Sequence, residues 1–169
     1  IGVIAVSLSA IFVKLTQSPS GLTAFYRMFL SVIIMLPLFL WKYKHEVKLL
    51  TKKDWVLSSI AGILLAFHFI IWFESLNYTS VASSTVLVTL QPIFAFVGTY
   101  FFFKEKIAMK SIIAATVAIG GSVFISVGDF RISGSALFGD VLALIACSFI
   151  TGYLLFGQEV RKRLSLITY

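Results

Sequence analysis

The stretches WVLSSIAGILLAFHFIIWFESL at residues 55–76 and VASSTVLVTLQPIFAFVGTYFFF at residues 81–103 decide the fold of this chain. Four uncharged residues, NYTS at 77–80, separate them, whereas residues 42–54 before the pair include five lysines. A helix that crosses a bilayer needs about 20 mostly apolar residues. Each stretch therefore predicts a transmembrane helix, and the short connection predicts that the two helices pack antiparallel.

Four further apolar stretches bring the predicted spans to six, at residues 1–15, 22–41, 55–76, 81–103, 111–127 and 136–156. Eleven of the fourteen Lys and Arg residues lie on one side of this predicted weave, and Arg131 lies on the other. Because positive residues concentrate in cytoplasmic loops, we predict an all-α, multi-pass membrane protein with a cytoplasmic N-terminus.

The composition points to lipid as the solvent. Hydrophobic residues make up 59% of the chain and charged residues 12%, against about 45–50% and about 25% in soluble domains. The net charge of +7 falls beside the predicted spans, which favours anionic membrane lipid over nucleic acid as the partner. Cys147 is the one cysteine, so no intramolecular disulfide is available, and we expect it to pack within its span.

Small residues recur every four positions on three predicted spans. Such stripes let helix backbones approach closely in a membrane, so they predict the faces where helices meet. The stripes are Ser58, Gly62 and Ala66; Ala114, Ala118 and Ser122; and Ala143, Cys147 and Thr151.

Two residues of the third span predict the wall of a substrate cavity. His68 and Trp72 are four apart and share a helix face. Both lie near the predicted middle of the bilayer, where ionisable side chains usually face a bundle interior or a water-filled cavity. There these rings could stack on a ligand or form a hydrogen bond with it. The alternative is a packed histidine that donates to a backbone carbonyl.

The fourth span supplies the rest of the predicted site. Pro92 removes a backbone donor and frees the carbonyl of Val88, and irregular backbone in a membrane is tolerated where it is buried or lines a cavity. Ser84 and Gln91 are seven apart and lie on one face beside this kink. The predicted substrate-binding residues are His68, Trp72, Ser84 and Gln91.

Three ionisable residues near the exterior ends of their spans predict a gate or ion network: Arg27, Glu74 and Asp140. Since a charge in lipid is costly, Arg27 is expected to pair with one of the two carboxylates or with an anionic substrate group. The simpler alternatives are a snorkelling Arg27, a solvated Glu74 and an Asp140 that caps its helix. Lys14 is also expected to snorkel.

Motifs for covalent chemistry are missing from the sequence. It has no metal-ligand cluster, no phosphate-binding glycine loop and no nucleophile elbow. We therefore predict no enzyme activity, no cofactor and no metal.

Several segments resemble the EamA-type drug/metabolite transporters, and together they cover nearly the whole chain. SLNYTSVASS at 75–84 resembles that family's junction between helices 3 and 4, and QPIFA at 91–95 with Glu105-Lys106 resembles its fourth helix. The remaining matches are FYR at 25–27, AIGG at 118–121 and GDVLAL at 139–144.

The resemblance implies ten helices in two inverted five-helix repeats around a cavity that opens alternately to each side. Residues 1–127 would form the first repeat, lacking its N-terminal end. Residues 128–169 would hold an exterior loop, the first helix of the second repeat and a basic cytoplasmic end, with the rest of that repeat missing. The implied function is transport of small metabolites such as amino acids or drugs, as efflux and with proton coupling, and with this resemblance we predict a location in a bacterial inner membrane.

Two other functions compete with this one. A small multidrug transporter works as a dimer, but it has four spans and a carboxylate deep in the first, which this chain lacks. A non-transporting scaffold or assembly protein would instead have a dry, packed interior around Gln91.

Overall fold

The computed structural model describes residues 2–16, 18–104, 108–130, 134–162, 164–165 and 167–168. Regular structure in these ranges is helical throughout, which confirms the all-α class. The α-helices are α1 (Gly2–Leu15), α2 (Ser20–Leu38), α3 (Lys52–Ser75), α4 (Val81–Val88), α5 (Gln91–Phe103), α6 (Met109–Phe130) and α7 (Ala136–Val160).

Five helical segments of the described chain are long and apolar enough to cross a membrane. They are Ser20–Leu49, Lys52–Ser75, Val81–Gly98, Met109–Gly128 and Ala136–Val160. The first of the six predicted spans corresponds to α1, whose 14 residues give about 21 Å at 1.5 Å per residue. That is shorter than the roughly 30 Å hydrocarbon core. The protein is therefore multi-pass, with five segments of spanning length and one shorter helix.

The connection between α2 and α3 is helical over much of the predicted loop at residues 42–54, so that prediction is wrong there. A π-helical turn at Phe39–Tyr43 continues into a 3-10 helix at Lys44–Leu49. The segment has no Gly or Pro, and Lys, Leu and Glu are good helix formers. The chain turns only at Thr51, which forms a capping box with Asp54 and starts α3 three residues before the predicted position.

A single carboxylate ties this connection to the chain that follows α7. Glu46 Oε2 accepts hydrogen bonds from the backbone N–H of Ser165 at 3.0 Å and from its hydroxyl at 2.9 Å. The Thr168 hydroxyl donates to the same oxygen. These bonds lower the pKa of Glu46, those from Thr168 and then Ser165 contributing most. The α2–α3 connection is thus joined to Ser165 and Thr168 at the predicted cytoplasmic side.

The fourth span is broken, as the Gln91–Pro92 pair predicts. Helix α4 ends at Val88, and α5 begins at Gln91 with Pro92 in its first turn, where a missing N–H leaves no helical bond unmade. The Val88 carbonyl accepts a hydrogen bond from Cys147 Sγ at 3.3 Å. Cys147 is therefore buried packing, as predicted, but it also satisfies a backbone group at the break.

Helix α7 packs along α3, and α4 and α5 also lie against it. Its stripe Ala143, Cys147 and Thr151 is buried, which confirms that prediction. The stripe on α3 is wrong in the described structure, because Gly62 and Ala66 are exposed. The stripe on α6 is confirmed at Ser122, which is buried, and not at Ala114 and Ala118, which are exposed. The face of α3 that is buried instead carries Ala61, His68, Trp72 and Ser75.

Close approach between α7 and the α3–α4 corner depends on Gly139. A Cβ at this position would lie 2.8 Å from both the Cβ and the backbone nitrogen of Thr79, and 3.0 Å from the carbonyl oxygen of Ser75. The start of α7 is thereby held against the end of α3, and this contact positions the polar groups described next.

Candidate functional site

Helix α3 carries an aromatic cluster that consists of His68, Phe69, Trp72 and Phe73, and Arg27 of α2 lies against it. The rings of His68 and Trp72 are stacked, with centroids 5.7 Å apart and planes at 19°. Phe69 lies 4.9 Å from His68, and Phe73 lies 5.3 Å from Trp72. The predicted shared face of His68 and Trp72 is therefore present, and both side chains are buried.

His68 fastens α3 to α7. Its Nδ1 lies 2.9 Å from the carbonyl oxygen of Ala146. Because a carbonyl only accepts, Nδ1 carries the proton of this bond. This geometry is the packed-histidine alternative, and it leaves the stacked face of the ring against Trp72.

Trp72 has a buried donor without a partner in the described residues. The side chain is 6% exposed, and its indole Nε1–H makes no hydrogen bond there. Buried polar groups are bonded in roughly nine cases of ten, and an unmade bond costs about 1–3 kcal/mol. The indole N–H is thus available to an acceptor from outside the chain.

Arg27 belongs to the aromatic cluster. Its Nη1 donates to the Ser9 hydroxyl at 2.8 Å, and its guanidinium carbon lies 4.5 Å from the centroid of the Phe69 ring. A cation over an aromatic face is attracted by the ring quadrupole. The guanidinium has five N–H donors, so it retains donors for an anionic group.

The predicted ion pair of Arg27 with Glu74 or Asp140 is wrong for this structure. Among the described residues the ion pair within bonding distance is Lys162–Glu159. Arg27 faces Phe69, and Glu74 is five residues further along α3, roughly 140° around the helix at about 100° per residue. Similar depth in the membrane therefore did not bring the two charges together.

Glu74 ties the outer ends of α2 and α3 together. Its Oε2 accepts from the hydroxyl of Ser20 at 2.7 Å and from the amide of Asn77 at 3.4 Å. Ser20 is the first residue of α2. Glu74 thus links the ends of α2 and α3 through hydrogen bonds from neutral groups.

Ser84 joins the aromatic cluster through Ser75. The Ser75 hydroxyl donates to the Trp72 carbonyl at 2.6 Å, so Ser84 donates to Ser75, whose oxygen lies 2.6 Å away. Gln91 begins α5 and is half-buried, and no described hydrogen bond links it to the other three predicted residues. The structure therefore brings together His68, Trp72 and Ser84, and leaves Gln91 apart.

A second polar group, which we call the hydroxyl–carboxylate cluster, consists of Thr79, Ser83, Ser126 and Asp140. The Thr79 and Ser83 hydroxyls both donate to Asp140 Oδ1 at 2.8 Å. Ser83 is also 3.0 Å from the Ser126 hydroxyl. Asp140 is 6% exposed and makes no described cap for α7, so the capping alternative does not describe its role.

Lys14 reaches the same corner from α1. Its ammonium donates to the carbonyl oxygens of Leu76 and Thr79, the latter at 3.1 Å. A cation is favourable at a helix C-terminus, where carbonyls lack helical partners. These bonds replace the expected snorkelling. Thr79 thus accepts from Lys14 through its carbonyl and donates to Asp140 through its hydroxyl.

A cavity of about 390 Å³ opens beside the hydroxyl–carboxylate cluster, between α4, α6 and α7. Asp140 is the charged residue in an otherwise mostly apolar lining. The lining residues are Leu87, Val123, Ser126, Val127, Leu137, Asp140, Val141 and Leu144.

Sequence reasoning missed the hydroxyl partners of Asp140. Thr79 and Ser83 lie on the α3–α4 connection and α4, and Ser126 lies on α6, so only tertiary packing brings them together. A signal was nevertheless available, since Ser122 and Ser126 are four apart on one face of an apolar helix, as hydroxyls that bond across helices would be.

The five spanning segments found in the described ranges define an integral, multi-pass membrane protein. The chain belongs to the EamA-like transporter family, whose family pattern matches residues 1–127. This confirms the resemblance read from the sequence.

Three relatives are similar to part of the chain. An uncharacterized protein of Haemophilus influenzae is 33% identical over 102 residues, which cover 59% of this chain and 77% of that protein. Two proteins named S-adenosylmethionine uptake transporter, from Rickettsia bellii and Rickettsia felis, are 30% identical over 108 residues, which cover 64% of this chain and 36% of theirs. The match thus spans about a third of each Rickettsia transporter. No solved structure matches the chain.

Proposed function

We propose that this protein transports small metabolites across a bacterial inner membrane by alternating access, with its N-terminus in the cytoplasm and without covalent chemistry. Membership in the EamA-like transporter family supports transport. In this proposal residues 1–127 form the first repeat, and residues 128–169 begin the second. This transport activity is proposed for the full-length protein.

The observation that carries the proposal is the buried Trp72 indole N–H without a partner in the described residues. It lies in a cluster where the Arg27 guanidinium has donors to spare and where His68 and Phe69 offer ring faces. Such a cluster suits a substrate that carries a carboxylate together with a flat ring. Two relatives are named for S-adenosylmethionine, which has both groups and is therefore the first probe to use.

The other predicted residues take supporting roles in this proposal. Ser84 and Gln91 complete the substrate site when the helices rearrange, since Gln91 lies beside the break that separates α4 from α5. Glu74 and Asp140 act at the outer ends of α2, α3 and α7, where they open or close the exterior side.

The test uses the full-length protein in proteoliposomes with labelled S-adenosylmethionine, and it compares Trp72→Phe with Trp41→Phe. Both changes remove an indole N–H, but Trp41 is 84% exposed whereas Trp72 is buried. Losing one hydrogen bond to a charged acceptor, worth about 1.5–3 kcal/mol, should weaken substrate affinity roughly 10- to 100-fold in Trp72→Phe and leave Trp41→Phe unchanged. Equal transport by both variants would remove Trp72 from the site.

A second transport experiment, with the same labelled substrate, determines the direction of transport. The family resemblance implies efflux, whereas the two Rickettsia proteins are named as uptake transporters. Loading the label inside or outside inside-out vesicles separates the two directions, and an imposed proton gradient tests the proton coupling.

A scaffold role has one observation in its favour. The bonds of His68 to Ala146 and of Ser84 to Ser75 leave these polar groups satisfied within the chain. If the wild type moves none of a panel of amino acids, nucleosides and drugs in either direction, the scaffold role becomes the better account. The five spanning segments disfavour the four-span multidrug transporter and the dimer it implies.

A further inference from the structure

We infer that Asp140, Thr79, Ser83 and Ser126 form a binding site for a monovalent cation, H⁺ or Na⁺, at the cavity between α4, α6 and α7. The site deepens the proposed function, and only its link to transport rests on it. The binding itself follows from the charge, the donor atoms and the access described below.

The first argument concerns charge. Asp140 is 94% buried on a membrane-spanning helix, where an ionised carboxylate is costly unless it is paired. In the described part of the chain it receives hydroxyl hydrogen bonds, and no Lys, Arg or His forms an ion pair with it. Hydroxyl bonds lower that cost but leave the net charge, which a proton or a bound cation removes.

Two charged groups on the neighbouring elements are engaged elsewhere. Lys14 of α1 donates to two carbonyls, and Glu74 of α3 accepts from Ser20 and Asn77. Helix α4 carries no charged residue, and α6 carries none between Lys110 and Asp129. Arg131 lies outside the described residues. The test below therefore includes it as an alternative counter-ion for Asp140.

The second argument concerns the donor atoms. Thr79 Oγ1 and Ser83 Oγ lie 2.8 Å from the carboxylate oxygen Oδ1, and Ser126 Oγ follows 3.0 Å further on. Hard cations take carboxylate and hydroxyl oxygens as ligands. The three hydroxyls can rotate to present lone pairs to Na⁺, or accept a bond from a protonated Asp140, so one set of atoms serves either ion.

The third argument concerns access and consequence. Asp140 and Ser126 line the cavity of about 390 Å³, so the cluster borders open space between α4, α6 and α7. Thr79 belongs to the α3–α4 connection and also holds Lys14 of α1. A cation at Asp140 therefore competes directly for the hydroxyl that joins this connection to α7, which is how its binding would shift the helices.

The experiment measures binding on the purified full-length protein, in two arms. One arm follows radioactive sodium binding in a choline buffer. The other follows the infrared carbonyl band of a protonated carboxylic acid from alkaline to acid pH without sodium. The variants are Asp140→Asn and Ser83→Ala, with Asp54→Asn, another buried carboxylate held by a hydroxyl, and Ser148→Ala as matched controls.

A sodium site predicts that Asp140→Asn abolishes sodium binding and that Ser83→Ala weakens it by about 10-fold, as the loss of a neighbouring ligand usually does. A proton site predicts that the wild type shows a protonated-carboxyl band that Asp140→Asn lacks, and that Ser83→Ala shifts the frequency of this band because one hydrogen bond to the carboxyl group is lost. Both controls should keep the sodium binding of the wild type and the carboxyl band that Asp140→Asn removes. Ser83→Ala also provides a second variant should Asp140→Asn fold poorly.

The inference is overturned if the wild type binds no sodium and its carboxyl band is the same as that of Asp140→Asn at every pH. It is also overturned if Arg131→Gln creates a sodium or proton signal at Asp140 that the wild type lacks, since Arg131 would then be the counter-ion. Neither readout requires transport, so a wild type that moves no substrate would refute the proposed function and leave this test intact.

Discussion

Replacement of Gly139 by Ala tests how α7 is held against the α3–α4 corner. The added Cβ would lie 2.8 Å from the Thr79 backbone nitrogen and 3.0 Å from the Ser75 carbonyl oxygen. Two of the three nearest atoms belong to the backbone and cannot move aside as a flexible side chain would. Gly120→Ala is the matched control, because nothing lies within 4 Å of a Cβ there.

The comparison isolates the cost of the clash. Each substitution gains about 1 kcal/mol in helix propensity, and this gain cancels between the two variants. Overpacking typically costs about 1–3 kcal/mol, and the backbone contacts place Gly139→Ala in the upper part of that range. At about 2–4 °C per kcal/mol for a chain of this length, its unfolding midpoint should fall several degrees below that of Gly120→Ala.

The assay is thermal unfolding of the purified protein in detergent, followed by tryptophan fluorescence. Gly152→Ala should lie between the other two variants, because its Cβ would meet the flexible end of Leu64 at 3.1 Å. Equal midpoints for Gly139→Ala and Gly120→Ala would refute the reasoning, since the close approach of α7 would then not limit stability.

Three further predictions concern other contacts of the chain. Glu46→Gln should weaken the hydrogen bonds that Ser165 and Thr168 donate to this side chain. In the wild type the pKa of Glu46 is lowered, so these bonds stabilise the protein fully above the ordinary glutamate pKa. That stabilisation is lost as the pH falls through the lowered pKa. The measurement is hydrogen exchange of the Ser165 amide as a function of pH. Wild-type protection that does not change with pH would contradict the role of the Glu46 carboxylate. Cys147→Ala should lower stability by about 1 kcal/mol because the Val88 carbonyl loses its donor, and Cys147→Ser should restore it; equal unfolding midpoints for the two would argue against this bond. Lys14→Met should destabilise the protein by about 0.3–1 kcal/mol, as measured by thermal unfolding at low salt, and Lys42→Met should have no such effect.

The sequence was sufficient to predict the helices of this protein because lipid imposes a simple requirement on them. Apolar stretches of spanning length and the placement of lysines predicted residues 55–76 within three residues of α3. The break at Gln91-Pro92 followed from the missing proline donor. The same reasoning overlooked the helical segment at Lys44–Leu49, since lysine content signals the end of an apolar core but does not end a helix.

Side-chain pairing was less predictable, because depth in the membrane does not fix the face of a helix. Arg27 was assigned to the carboxylates at its own depth, yet it lies over Phe69. Asp140 was expected to cap α7 or to meet Arg27, and it instead accepts from two hydroxyls on the α3–α4 connection and α4. The small-residue stripe predicted α7 correctly and failed for Gly62 and Ala66, because small residues permit close packing without requiring it.

The bond between Cys147 and the Val88 carbonyl bears on how stiff the fourth span is. Thr89 and Leu90 separate α4 from α5, and the side chain of α7 that donates to the carbonyl at this break is a thiol, which is a weak hydrogen-bond donor. A hydroxyl there would hold the Val88 carbonyl more firmly. With a thiol, the angle between α4 and α5 depends chiefly on the packing of each helix against α7 and on the turn bonds of Leu90 and Ile93.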